Sequence, residues 1–593
     1  MDWSRVLIES LIWLVSAFCI SLFVFTTVAW LLSRYTHWGK QVWSLAWPCF
    51  TPSRSWRPTA NLAGILFLTL FSVRMNVLFS FWYNGFYSAL QKLDSKLVWF
   101  FIGLFVVLAT VHVLHSLLNF YIQQAFEIYW RVWLNKYFLQ NWLGAQAYYR
   151  SQYLTNPADN PDQRIQQDVA SFVSISLNLS TGLINAVVSM FAFTAILWGL
   201  SGSLIVFGFT IPRAMVYLVY LYVIIATWVA FKVGRPLIRL SFLNEQFNAS
   251  YRYALVRLRE FGESVAFYHG EEVEAVTLNR CFHDVIGNAW DIIFRTLKLS
   301  GFNLTIGQAA VIFPFMVQLP RYLSKQIELG DVMQTGNAFS QVQEALSFFR
   351  VSYETFAGYR AVLDRLSGFI DSIQAANALP SLSVESHDVQ VMVSGLTVRK
   401  PDMTPLVSDL TLDISNHQPL LVRGDSGIGK TTLLRAIAGL WPFAEGSITR
   451  PTGSDSLFLS QKAYLPIGSL RKAICYPIAA EQNDRVNKIL MQCQLGHLAE
   501  RLDEVADWAQ KLSPGEQQRL AFGRILINKP DAVFLDEATS AMDEGLEEAM
   551  YRLLREQLPD TVVVSVGHRS TLKPFHRFEL VLLGNGKWKL KDL

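Results

Sequence analysis

Apolar residues gather in long, nearly uncharged runs over roughly the first 355 positions, then shorten into strand-sized clusters. The first run, SLIWLVSAFCISLFVFTTVAWLL from Ser10 to Leu32, is uncharged and exceeds the roughly 20 residues a helix needs to cross a bilayer. A signal peptide would be shorter and would end at a small-residue cleavage site, which this stretch lacks. Further spans are predicted near 60–82, 97–121, 179–200, 213–232, 300–319 and 332–353. The last, within DVMQTGNAFSQVQEALSFF, is polar for a lipid-facing helix. Such a helix faces a water-filled path or lies outside the membrane, and the first reading is preferred. Two further stretches, AFEIYWRVWLNKYFLQNWL and NEQFNASYRYALVRLREFGESVAFYHGEEVEAV, keep helical spacing with strong polar content, which predicts membrane helices that run on into the cytoplasm. Between Asp371 and Asp388 the apolar pattern fades into a linker, and a soluble α/β pattern follows. The expected divisions are 1–58 (an extra N-terminal span and cytoplasmic loop), 59–370 (a membrane domain), 371–387 (a linker) and 388–593 (an α/β domain).

Composition supports the same division. Of 593 residues 52% are apolar and 17% charged, with 41 Phe and 18 Trp, a surplus that a water-soluble fold does not bury. Arg34, Lys40, Arg54 and Arg57 follow the first span, and the loops at 122–178 and 233–299 are rich in Arg and Lys, which places these segments on the cytoplasmic side. Seven spans then start the chain outside and leave the C-terminal domain inside, where ATP is. The net charge of +4 is dispersed, with no basic run interleaved with aromatics, so nucleic acid is not an expected partner. The five cysteines show no CxxC pair and no His-rich ligand spacing, and so imply neither a disulfide framework nor a metal site.

The chemistry lies in the α/β part. The strand-like PLLVRG leads into GDSGIGKTTLLRAIAGL, where Gly424, Gly429, Lys430 and Thr431 match G-x-x-x-x-G-K-[ST] between a strand and a helix. Glycines let backbone N–H groups curl around phosphates at a helix N-terminus. Lys430 would reach the β- and γ-phosphates, and the Thr431 hydroxyl would ligate Mg²⁺. The candidate nucleotide-binding set is therefore Gly424, Asp425, Ser426, Gly427, Ile428, Gly429, Lys430, Thr431 and Thr432. In DAVFLDEATSAMD, Ala532–Leu535 form a buried-strand pattern ending at Asp536 and Glu537. Asp536 is a candidate for the Mg²⁺ shell and Glu537 for polarising an attacking water. His568 follows the strand-like TVVVSVG, where it would meet a γ-phosphate; Gln461 follows another apolar strand, where its amide would touch Mg²⁺ and the water. In KLSPGEQQRLAFG, Ser513 reads as an N-cap, Pro514 as N1 and Glu516 as N3, a capping box with a proline where the missing N–H costs nothing.

The order of phosphate loop, Gln461, LSPGEQQRL, VFLDEATSAMD and His568 resembles the nucleotide-binding domain of an ATP-binding cassette (ABC) transporter over about 388–593. In the membrane part FWYNGFYSALQKLD, YYRSQYLTNPADNPDQRIQQDV and ESVAFYHGEEVE resemble the group that joins peroxisomal acyl-CoA half-transporters with bacterial SbmA/BacA-like and YddA-like proteins. The resemblance implies an all-α polytopic membrane domain of the exporter type, six core spans plus one extra N-terminal span, followed by a P-loop α/β nucleotide-binding domain. It also implies a half-transporter in a bacterial inner membrane, working as a dimer with a second copy of itself. ATP would lie between one phosphate loop and the partner's signature segment, contacted there by Ser513, Gly515 and Glu516. Cassette closure would drive an amphipathic cargo across the bilayer: peptides, peptide-like antibiotics, or cobalamin-like or acyl- and lipid-like molecules. The NPDQR stretch (Asn160 to Arg164) and Glu263 would transmit motion.

Three departures from the family pattern matter. Lys400 precedes Pro401 where the family carries an adenine-stacking aromatic, so Arg399 or Lys400 would stack through a cation–π contact. Arg74 interrupts the second span and is a candidate contact for an anionic or zwitterionic cargo. Pro514 stands where Gly is more frequent, giving a stiffened signature with the Ser513 hydroxyl and Gly515 N–H free to face a phosphate. A channel or proton-coupled carrier gated by its cassette is the competing function. A soluble-type ABC protein is disfavoured by the apolar spans.

Overall fold

Eight helices of 14 residues or more carry the N-terminal part of the computed structural model, which describes residues 3–51, 56–202, 204–206, 209–386, 390–478 and 483–593. Arg54 and the linker end at Asp388 fall outside these residues. The helices are α1 (Trp3–Tyr35), α2 (His37–Phe50), α3 (Arg57–Gln91), α4 (Ser95–Leu143), α5 (Val169–Leu200), α6 (Ala214–Glu260), α7 (Glu271–Leu323) and α8 (Leu329–Ala378). Among the described residues six helical stretches are long and apolar enough to cross a membrane: Ile8–Tyr35, Arg57–Gln91, Ser95–Tyr153, Pro161–Leu200, Ala214–Glu260 and Glu271–Leu323. They contain the first six predicted spans.

The seventh predicted span lies in α8, which is helical throughout but is not among those six. Its composition follows from its surroundings. Ala338, Phe339 and Val342 pack into a core with Val77 of α3, Phe193 of α5, Val219 of α6 and Ala310 of α7. Helices that are themselves apolar surround this face of α8, so its opposite face is released from the demand for lipid-compatible side chains.

The polar stretches between spans continue their helices, as their spacing predicts. With 49 residues, α4 is about 70 Å long at 1.5 Å per residue, more than twice the hydrocarbon thickness. The loop expected after the first span is largely helix α2, capped by Thr36, whose side chain accepts from the Gly39 N–H at 3.1 Å. It packs Trp38 edge-on against Phe356, and the Gln41 amide donates to Asp364 at 2.9 Å.

The chain divides into two units, Met1–Asn141 with Ala158–Asp371, and Trp142–Pro157 with Ser372–Leu593. Within the segment expected as a linker, α8 stays helical to Ala378. In the first unit, buried Arg164 and Asp168 pair at 2.9 Å, Arg365 of α8 binds the same carboxylate at 2.6 Å, and Asp159 also pairs with Arg164. Asp168, itself paired with Arg164 of the NPDQR stretch, thus ties the entry of α5 to α8.

Among its described residues the second unit contains two larger sheets and one short antiparallel pair, Gly468–Ser469 with Val505–Ala506. A four-stranded sheet orders β1 (Val384–Ser386), β5 (Ala444–Arg450), β2 (Val391–Arg399) and β3 (Pro405–Ile414). A six-stranded sheet orders β10 (Lys587–Asp592), β9 (Phe578–Gly584), β4 (Leu420–Arg423), β8 (Val562–Val566), β7 (Ala532–Asp536) and β6 (Ser456–Leu459). All its pairings are parallel except β9 with β10. The central strand β8 reads VVVSV and is buried at every position, as a parallel strand covered on both faces must be. Residues 142–157 belong to this unit through Tyr153, whose ring packs edge-on against Trp441 at 5.1 Å and near Phe443 at 6.3 Å.

Candidate functional site

The order of the six-stranded sheet brings the candidate residues together. β4, β8, β7 and β6 are consecutive parallel neighbours, with Leu535 level with Leu459 and Asp536 level with Val566. The loops leaving their C-terminal ends therefore share one edge of the sheet, where open α/β folds bind ligands.

The loop after β4 runs from Gly424 through Asp425, Ser426, Gly427 and Ile428 to Gly429, and α9 (Lys430–Ile437) begins at once, with Thr431 and Thr432 in its first turn. Gly424 lies at φ 152°, and a Cβ there would sit 2.8 Å from the Leu582 carbonyl oxygen. Gly429 lies at φ 111°, a region side chains rarely adopt. The buried Lys430 ammonium reaches back over the loop and donates to the carbonyls of Gly424 at 2.9 Å and Asp425 at 3.1 Å. A cation is thus held over a glycine-rich loop at a helix N-terminus, the charge and shape expected of a phosphate cradle.

The Thr431 hydroxyl donates to Asp536 at 3.1 Å. Burial raises the Asp536 carboxyl pKa and the adjacent Glu537 charge adds to the rise, while the Thr431 hydrogen bond opposes it. Hydroxyl and carboxylate oxygens beside a phosphate cradle form a hard-donor set of the kind Mg²⁺ takes. The carboxylate disfavoured by burial is one that a divalent cation would relieve.

Glu537 follows at φ 49°, a left-handed conformation held by its N–H donating to the Val566 carbonyl at 3.1 Å. This turn swings its carboxylate out of the strand line. There the Gln461 amide donates to one oxygen at 3.2 Å and His568 Nε2 lies 3.3 Å from the other. Two residues, from the strand ends on either side, converge on this one carboxylate.

The helix α10 (Pro514–Asn528) begins as its sequence predicts, with Ser513 as N-cap, Pro514 at N1 and a complete capping box with Glu516. Its polar groups are disposed differently from the expectation. The Ser513 hydroxyl is not free: it donates to Glu516 at 2.8 Å, and the same carboxylate accepts the Ser513 N–H at 2.9 Å. His497 Nε2 lies 2.9 Å from the other Glu516 oxygen. Although burial opposes ionisation, the Ser513 and His497 hydrogen bonds lower the Glu516 pKa. Gly515 lies close under the Ala541 carbonyl, 3.1 Å from where a Cβ would be.

Two other expectations change. The Arg74 guanidinium donates to Ser10 Oγ at 2.9 Å and lies over the Trp13 ring at 5.5 Å, so α1 occupies it and it does not line an open path. Arg399 is ion-paired with Glu445 at 2.7 Å, whereas Lys400 is exposed on its turn. Of the two candidate adenine contacts, Lys400 remains available.

The structure also brings in a residue that the sequence reading passed over. Gln518, 4% exposed, donates to the Gln461 carbonyl at 3.0 Å and to Ser540 Oγ at 3.2 Å, and accepts the Ala541 N–H at 2.9 Å. It joins the signature helix to the loop bearing Gln461 and to the loop after Glu537. The signal was present, because Gln518 shares a helix face with buried Ala521, Phe522 and Ile525.

The fold is shared with a solved structure, described as a bacterial Atm1-family ABC exporter with ATP bound, at a TM-score of 0.69 and 17% identity, over 90% of this chain and 95% of that one. Residues 45–323 match the family described as ABC transporter transmembrane region 2, and 407–540 match the ABC transporter family. An ABC transporter ATP-binding protein of Haemophilus influenzae is 48% identical over 592 residues, covering 100% of both chains. The chain is an ABC transporter. Within that family the Escherichia coli inner membrane ABC transporter ATP-binding protein YddA is 32% identical over 85% of this chain and 90% of its own. The Arabidopsis thaliana ABC transporter D family member 2, chloroplastic, is 30% identical over 93% and 88%. This ABC transporter is thus a multi-pass membrane half-transporter of the group containing YddA-like and subfamily D members, with an ATP-binding domain whose ATPase activity is coupled to transport.

Proposed function

We propose that this ABC transporter works as a homodimer in a bacterial inner membrane, hydrolysing Mg·ATP to move an amphipathic cargo. The observation that carries the reading is the Glu537 carboxylate, held by Gln461 and His568 beside the Thr431–Asp536 pair. Glu537 would polarise the attacking water, with Gln461 orienting it and His568 meeting the γ-phosphate. The phosphate loop, from Gly424 to Thr432, would cradle the nucleotide. Thr431, Asp536 and Gln461 would hold Mg²⁺, which supplies charge neutralisation on the β- and γ-phosphates when bound.

Two features favour a second copy. Ser513, Gly515 and Glu516 hydrogen-bond to none of residues 424–432 among the described residues, so their own phosphate loop does not use them. The short helix Gly262–Tyr268, which carries Glu263, presents Phe267 and Tyr268 at 75% and 85% exposure, a surface suited to docking. The relative's designation as an inner membrane protein supports the location.

The test is ATP hydrolysis and cargo flux in proteoliposomes, wild type against Glu537→Gln. A pump loses both in the variant, with hydrolysis down at least a hundredfold. Flux that persists in Glu537→Gln would establish the cassette-gated channel or carrier instead.

A further inference from the structure

The polar face of α8 borders a cavity of about 350 Å³ within the first unit. Asn76 of α3, Gly182, Asn185 and Ser189 of α5, and Gln341, Glu344 and Phe348 of α8 are among the residues that line it. On α8 the lining positions Gln341, Glu344, Phe348 and Val351 recur at helical spacing, opposite the buried stripe of Ala338, Phe339 and Val342. Gly182 is required where it stands, because a Cβ there would fall 2.5 Å from the Phe348 ring. An edge of the ring therefore lies against α5, and Phe348 forms part of one wall.

Glu344 is the only ionisable side chain in this lining. Neither it nor Asn76, Asn185 or Gln341 has a side-chain hydrogen bond or ion pair among the described residues. Glu344 is exposed to the cavity, and a carboxylate within a helical membrane bundle persists where it meets water or a charge of opposite sign. Arg74, the basic residue near Asn76 on α3, is engaged with α1 and does not supply that charge.

We infer that this cavity is an anchoring site for a cationic group of the cargo, an ammonium or guanidinium, with Glu344 as its counter-ion. The amide oxygens of Asn76, Asn185 and Gln341 accept its remaining N–H groups, and the Phe348 face offers a cation–π surface. The volume is at the small end for a ligand site, enough for one basic side chain and its surroundings but not for a whole peptide. Among the cargo classes open above, this selects peptide-like molecules bearing basic groups. An acyl-CoA-like anion would set its phosphates against a carboxylate. The inference rests on the transport reading.

The test uses the full-length protein in phosphatidylcholine nanodiscs without nucleotide. A dye-labelled peptide of alternating leucine and lysine, and the same peptide with every lysine acetylated, are titrated against wild type, Glu344→Gln and Glu344→Asp, with empty nanodiscs subtracted. Wild type is expected to bind the lysine peptide at least tenfold more tightly than the acetylated one. Glu344→Gln is expected to lose that preference, and Glu344→Asp to keep at least threefold of it. Equal binding of the two peptides by wild type, or a preference undiminished in Glu344→Gln, overturns the inference. The wild-type comparison decides alone if the Gln variant does not fold. ATP hydrolysis is measured on the same preparations. No turnover in wild type counts against the pump, whereas lost preference with intact turnover counts against the cavity only.

Discussion

Gln518→Ala tests whether the signature helix sets the position of Gln461 from within one cassette. The truncation removes three hydrogen bonds, to the Gln461 carbonyl, Ser540 Oγ and the Ala541 N–H, and leaves the two main-chain groups unpaired. At roughly 0.5–1.5 kcal/mol per bond the network is worth about 1.5–4.5 kcal/mol. If about 1.4–2.7 kcal/mol of this appears in the barrier, because the Gln461 amide no longer sits 3.2 Å from Glu537, kcat for ATP hydrolysis falls about tenfold to a hundredfold. Nucleotide affinity should change by less than about threefold, since Gln518 touches no residue of the phosphate loop. Gln518→Glu separates the arms. It keeps an acceptor for Ala541 but sets a carboxylate against the Gln461 carbonyl, and should lower kcat with little effect on the melting temperature. Steady-state hydrolysis, nucleotide titration and thermal melting of each variant provide the data. A kcat within twofold of wild type in both variants would refute the positioning role.

Two further outcomes follow. His576 is buried with Nδ1 2.8 Å from the Leu572 carbonyl and Nε2 2.9 Å from Ser565 Oγ, and burial lowers its pKa from 6.5 to about 4. Its folded pKa lies below the unfolded value, so its contribution is complete above about pH 6.5 and is lost as pH falls towards 4. That contribution is on the order of 3 kcal/mol at neutral pH. The melting temperature of His576→Gln should therefore fall less steeply than wild type between pH 6.5 and 4, and parallel slopes would contradict the assignment. Pro514→Gly keeps the Ser513–Glu516 capping box, so ATP hydrolysis should stay within about tenfold, or 1.4 kcal/mol, and a larger gain would identify the proline as a brake.

The membrane spans, the phosphate loop and the capping box were legible because each is written in contiguous residues. A bilayer demands an uninterrupted apolar run, a phosphate demands consecutive amides from a glycine-rich turn, and an N-cap reaches only three residues ahead. Gln461 and His568 were legible only as residues at strand ends. Their meeting at Glu537 depends on β6, β7 and β8 being neighbours, a long-range pairing that local pattern does not encode. Gln518 was legible as a position on the buried face of its helix, but not as a bridge, because the loops it bonds to are brought to it only by the fold. Arg74 was misassigned for a related reason: its charge was visible in the second span, but its partners lie 64 positions earlier in the chain at Ser10 and beside it at Trp13.

The sequence by itself determined six long apolar helices, the glycine-rich loop that opens α9 and the start of the signature helix, since these depend on local composition and backbone geometry. Only the tertiary structure decided which polar groups are already paired and which are left over. It assigned Arg74 to α1, spent the Ser513 hydroxyl on Glu516, and left Glu344 facing an open cavity without a partner among the described residues. Whether a charge is satisfied depends on what other segments bring within about 3 Å of it, and chain order does not set that distance.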